Sequence, residues 1–148
     1  MRILLLLIKN LILYIHQLPQ NILGYIVSRN AMITLYVPCK DGRIQEVYFS
    51  DKVFKSGVSL GKYVILDYDK YYSLVATRKT RALNIIWHEH GHSMQSLRLG
   101  WLYLLVIGLP SLTGNIAQRI FKFSSEKYYS LPWEAWADKL GKVERNFY

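Results

Sequence analysis

The sequence predicts an α+β fold in which one long helix packs on a short antiparallel sheet, with an amphipathic helix ahead of it. Three observations lead there. Residues 3–17 are apolar apart from a few polar positions at helical spacing. Residues 31–49 hold two β-rich segments around a turn. Residues 84–99 carry a helical pattern between Asn84 and Gly100.

In the first segment Arg2, Lys9 and His16 are seven apart, and so are Asn10 and Gln17. That spacing puts the polar groups on one narrow stripe of a helix ending before Pro19. The remaining surface is Leu, Ile and Tyr. A thin cationic stripe beside a broad apolar face suits a membrane interface, with burial against the domain or a partner as the alternative. Residues 3–8 do not read as a signal peptide, because Lys9 and Asn10 interrupt the run and no small-residue cleavage site follows. Nor is the run a clean transmembrane helix, which needs about 20 mostly apolar residues. Residues 1–27, with a further apolar patch at 22–27, are therefore expected to form a membrane-associated helical segment, and residues 28–148 the domain.

Residues 31–37 and 43–49 are rich in Ile, Val, Tyr and Phe and flank Asp41-Gly42, which predicts a β-hairpin. Residues 62–68 and 71–77 are expected to form a second strand pair near Asp69-Lys70. The long helix should run from an Asn84 N-cap to Gly100 at C′. Trp101 to Pro110 is an apolar stretch too short to span a bilayer alone, with Trp and Tyr suited to the headgroup level. It is expected to form a shallowly inserted surface or to fill the core. A helix is expected over 113–121. Another starts near Ser130 and Pro132 and stops at Gly141.

The long helix carries His88-Glu89-His90-Gly91-His92, an HExxH motif. Residues i and i+4 lie one above the other on a helix, so His88 and His92 can offer two imidazole nitrogens to one metal ion. Glu89, one step round, can take a proton from a water on that ion. Catalytic zinc takes three protein ligands and keeps one position open. The best candidate for the third is Glu134, in Glu134-Ala135-Trp136-Ala137-Asp138, with Asp138 one turn on to accept the free N–H of a ligand histidine. Glu126, Glu144, Asp67 and Asp69 are rivals that read more readily as surface charges. His90 points about 200° away from His88, so it cannot share the metal and is read as packing or surface. His16 is read as unrelated to the site. Gly91 costs the helix about 1 kcal/mol relative to Ala, which suggests close approach of another backbone.

HExGH followed by ExxAD resembles the gluzincin zinc metallopeptidases, closest to the membrane branch that includes the CAAX prenyl proteases and HtpX-type proteases. The match covers these two five-residue motifs. The resemblance implies a zincin-like domain with one zinc per chain held by His88, His92 and Glu134, Glu89 as general base, and Asp138 in support. It also implies a strand edge beside the metal helix that binds extended peptide, for which residues 71–77 are the candidate. Tyr128 and Tyr129 precede the second motif closely enough to be candidate oxyanion donors.

At 148 residues the chain is large enough for one modest core. The single cysteine, Cys39, excludes an intrachain disulfide, and it is not read as a nucleophile or a ligand. A net charge of +9 suits an anionic partner. The basic residues are scattered, with small groups at Arg78-Lys79-Arg81 and Lys139-Lys142-Arg145, and no finger spacing or basic block stands out. A membrane lipid surface is therefore favoured, and no specific nucleic acid is expected. The expected function is a membrane-associated, peripheral or shallowly inserted, zinc metallopeptidase acting on peptide or protein substrates. The alternatives are a non-catalytic membrane-attached zinc module and, behind it, a basic nucleic-acid-binding protein.

Overall fold

The computed structural model describes residues 2–51, 53, 57–77 and 79–145. Arg78 of the basic group, and the Arg2 side chain of the stripe, lie outside the described set. The helices are α1 (Arg2–His16), α2 (Leu18–Ser28), α3 (Tyr68–Ala76), α4 (Thr80–Leu99), α5 (Leu109–Phe121), α6 (Ser125–Tyr129) and α7 (Pro132–Gly141). The strands are β1 (Ile33–Pro38), β2 (Ile44–Ser50), β3 (Gly57–Leu60) and β4 (Tyr63–Asp67), in sheet order β1-β2-β4-β3. The fold is α+β, as expected.

The hairpin forms with Ile33 opposite Phe49 and Pro38 opposite Ile44. Its turn is held by Asp41, whose Oδ1 accepts the Arg43 backbone N–H at 3.0 Å, and by Gly42 at φ 85°. The sheet is mixed rather than antiparallel: β2 and β4 run parallel, with Val47 opposite Val64 and Ser50 opposite Asp67. Strand β4 is buried throughout, as a central strand covered on both faces must be. Val47, Phe49, Val64 and Leu66 face Tyr71, Val75, Ala82 and Ile86 of α3 and α4. Tyr63 and Ile65 form a second cluster with Val53, against which Val27 of α2 packs.

The expected strand over 71–77 is instead α3. The Asp67 carboxylate accepts the Lys70 N–H at 2.8 Å and caps it, and Tyr71 and Val75 are buried one turn apart. Among the described residues the two edge strands are β1, bonded to β2, and β3, bonded to β4. Helix α4 begins a turn before Asn84, with Lys79 as N-cap; Asn84 spends its amide on the Glu144 carbonyl at 2.8 Å. Gly100 terminates α4 at φ 55°. The stretch after it is helical, through a 3₁₀ turn at Gly100–Leu102 and a π-helical stretch at Leu104–Gly108 that runs on into α5.

Helices α1 and α2 meet at 88° around Gln17. Trp101 donates to the Ile15 carbonyl at 2.8 Å, and Gln20 donates to the Gly100 carbonyl at 2.8 Å. The His16 ring packs against Gly100, which has no room for a Cβ. The corner is thus pinned to the end of α4, and α2 belongs to the packed body, with Gln20 and Asn21 buried. Beyond the corner α1 stands out, its Ile3 77% and Leu6 57% exposed.

Candidate metal centre

Helices α4 and α7 pack at backbone contact. A Cβ on Gly91 would collide with the Ala137 carbonyl, and one on Gly141 with the Trp87 carbonyl. The close approach expected from Gly91 is therefore present. Helix α7 stops at Gly141, as expected, though not because Gly141 takes the left-handed turn. It is the last helical residue, kept small by Trp87, and Lys142 takes the left-handed turn at φ 53°. Helix α7 starts at Pro132, as expected, with Leu131 rather than Ser130 as its cap.

This contact brings Glu134, in the first turn of α7, under the two histidines of α4. His88 Nε2 and His92 Nε2 are 3.1 Å apart, and Glu134 Oε2 lies 3.0 Å from the first and 3.3 Å from the second. Zinc–nitrogen distances of 2.0–2.1 Å at tetrahedral angles place ligand atoms about 3.3 Å apart. The triangle has that size. All three residues are buried.

The partners behind the rings decide which nitrogens face inward. His88 Nδ1 donates to Asp138 Oδ1 at 2.6 Å. His92 Nδ1 donates to Gln95 Oε1 at 2.7 Å, and the Gln95 amide is oriented by its own bond to the Trp133 carbonyl at 2.7 Å. Both Nε2 atoms are left as lone pairs aimed at one another and at a carboxylate oxygen. That arrangement is repulsive unless a cation sits in it. Zinc fits the donor set of two imidazoles and a carboxylate.

Without a metal a proton takes that place. Burial opposes charge on His88, but its hydrogen bonds to Asp138 and Glu134, with Glu89 nearby, outweigh burial and raise its pKa to about 9. Burial alone would push Glu134 up, yet its close contacts with His88 and His92 hold it far below the usual carboxylate range. Its other oxygen, Oε1, accepts from Ser111 at 2.6 Å and from Tyr128 at 2.9 Å. The Tyr128 proton is thus committed to Glu134. Tyr129 packs edge-on against the His88 ring at 5.2 Å, and its hydroxyl makes no hydrogen bond among the described residues.

Glu89 is buried, and desolvation raises its pKa, with His88 and His92 opposing. Its Oε1 lies against Gly57 of β3, where a Cβ would come within 2.6 Å. The group opens on a cleft of about 530 Å³ lined by Gly57, Tyr71, His88, Glu89, His92, Ser111, Asn115 and Tyr129. Edge strand β3, not residues 71–77, is the strand that borders it.

The rival acids stay apart from this group. Glu144 pairs with Lys40 at 3.1 Å, Asp67 caps α3, and Glu126 and Asp69 are exposed. His90 points to the far side of α4 and is buried there between Gln45 Oε1 at 2.9 Å and Asp41 Oδ2 at 3.0 Å. Cys39 lies near these two, but burial and then Asp41 raise its thiol pKa to about 11. Sequence reasoning missed Gln95, Ser111, Arg145 and Gly57. Gln95 had a signal, an acceptor three residues after His92 on one helix; the other three had none. Comparison with protein-family models, with curated proteins and with solved structures finds no match for this chain.

Proposed function

We propose that this chain is a membrane-associated zinc metallopeptidase that cleaves peptide bonds in peptide or protein substrates. The observation that carries the reading is the triangle of bare donor atoms, His88 Nε2, His92 Nε2 and Glu134 Oε2, open to a cleft with Glu89 beside it. Among the described residues no fourth ligand joins the group, which favours catalysis over a structural ion. When bound, zinc supplies Lewis acidity, bringing the pKa of a coordinated water towards about 7 and polarising the scissile carbonyl.

The chain's own residues do the rest. Glu89 takes the proton of the attacking water and passes it to the leaving amine; burial, by raising its pKa, suits it to both steps. Tyr129, at the cleft wall, is the better placed of the two tyrosines to donate to the developing oxyanion. The Gly57 end of β3 borders the cleft and is the strand backbone nearest an extended substrate; farther along, the Ser59 carbonyl already accepts from the Tyr103 hydroxyl at 3.1 Å. Ser111 and Tyr128 hold Glu134 from behind.

The membrane reading rests on exposed apolar surface. On α1 Ile3, Leu4, Leu5, Leu6, Leu7, Leu11 and Ile12 are exposed, as are Trp101, Leu102, Leu105, Leu109, Leu112, Ile116 and Ile120 on the stretch after α4. Leu104–Phe121 forms one apolar helical run of 18 residues, 6% of it buried. At 1.5 Å per residue it is about 27 Å long, close to the hydrocarbon thickness of a bilayer.

Metal analysis of purified protein should return one zinc per chain. Glu89→Gln should keep that zinc and lose hydrolysis of a casein-type substrate by at least about a hundredfold. Retained hydrolysis would remove Glu89 from its role, and absence of zinc from the parent would remove the reading.

A further inference from the structure

The segment after α7 crosses back over the start of α4. Lys40 pairs with Glu144 at 3.1 Å, Lys142 Nζ donates to the Lys40 carbonyl at 3.3 Å, and Asn84 donates to the Glu144 carbonyl at 2.8 Å. This strap delivers Arg145 to the back of the metal group. Its Nε donates to Asp138 Oδ2 at 2.5 Å and its Nη2 to Asp138 Oδ1 at 2.7 Å, a two-pronged grip. The guanidinium also stacks on the Tyr129 ring, 3.2 Å from its centre. Asp138 Oδ1, held this way, is the atom that accepts from His88 Nδ1.

Charge gives the same residue a second task. Glu134 and Asp138 both press carboxylates on His88, and Arg145 is the guanidinium paired with them from behind, through Asp138. Unbalanced charge in a buried site is costly, so removing the guanidinium should be felt at the ion.

We propose that Arg145 is a positioning residue of the metal centre: by clamping Asp138 it orients His88 and balances the buried charge, so that the strap couples residues 142–145 to metal affinity. The proposal rests on the zinc reading above.

The test is zinc affinity by competition with a chromophoric chelator, with circular dichroism to establish folding. Arg145→Ala should weaken zinc binding by about 10- to 100-fold, as loss of an outer-shell partner does. Arg145→Lys keeps the charge without the fork and should recover only part of that. Asn84→Ala, which slackens the strap and leaves Arg145 in place, should weaken binding several-fold. In an Asp138→Asn background, Arg145→Ala should add little, because it acts through Asp138. If Arg145→Ala fails to fold, Arg145→Lys and Asn84→Ala still decide the matter. Zinc affinities equal to the parent's in those two variants, or losses from Arg145→Ala and Asp138→Asn that multiply in full, would overturn the proposal while leaving the parent's zinc intact. A parent that takes up no zinc would sink the functional reading as well.

Discussion

At the scale of single residues, the tautomers of His88 and His92 are set by what stands behind them. Replacing Gln95 by Leu removes the acceptor on His92 Nδ1 and leaves the Trp133 carbonyl without its donor. Zinc affinity should fall by about 10- to 100-fold, measurable by chelator competition. The proton that would compete with a metal here belongs to His88. Its pKa of about 9 is raised from the ordinary value of 6.5, so metal-free protein gains stability from this group below about 6.5 and loses it as pH rises through about 9. Zinc uptake runs the opposite way: one proton must leave His88, so apparent affinity should climb with pH and level off above about 9. A zinc titration at several pH values checks the slope, and a flat profile would mean that His88 is not a ligand. Gly57→Ala should drive the Glu89 carboxylate aside and lower kcat on the order of tenfold with zinc retained, read by steady-state kinetics.

At the scale of elements, two glycines decide whether α4 and α7 can approach. Helix propensity alone says that Gly91→Ala should stabilise α4 by about 1 kcal/mol. Packing says the reverse, because the methyl would collide with the Ala137 carbonyl, which belongs to a backbone that cannot turn aside. Overpacking of this kind costs about 1–3 kcal/mol and outweighs the propensity gain. Gly91→Ala should therefore lower the melting temperature, and lower zinc content with it, since α7 carries Glu134. The segment at 71–77 shows the same contest between local preference and context. Its Tyr, Leu and Val suit a strand, but the Asp67 cap and the burial of Tyr71 and Val75 on one side make it a helix. With 71–77 helical, the edge strand that borders the cleft is β3.

At the scale of the molecule, α1 and the Trp101–Phe121 stretch present apolar side chains that the domain leaves uncovered. The chain should float with vesicles containing anionic lipid. Leu6→Glu with Ile12→Glu should reduce flotation by about tenfold or more, given the cost of burying carboxylates in lipid, and leave zinc content unchanged because α1 lies outside the metal group. Loss of zinc in that variant would show that α1 supports the fold rather than a membrane.

The HExxH spacing by itself determined that two histidines would stack on one side of a helix with a glutamate one step round, and the ExxAD spacing that Glu134 and Asp138 would share a face of another. Local periodicity suffices for both, because a helix places i and i+4 together whatever surrounds it. The hairpin at Asp41-Gly42 was legible for a similar reason, since its turn chemistry is local. Only the tertiary structure decided that Glu134 closes on His88 and His92 at 3.0 and 3.3 Å, because that depends on two helices meeting at Gly91 and Gly141 from positions far apart in sequence. The same holds for Arg145 and Ser111. No spacing rule links them to the histidines, and only packing brings the strap and α5 to the back of the site. The sheet's parallel pair was equally hidden, because strand order is set by which faces must be buried and not by any single segment.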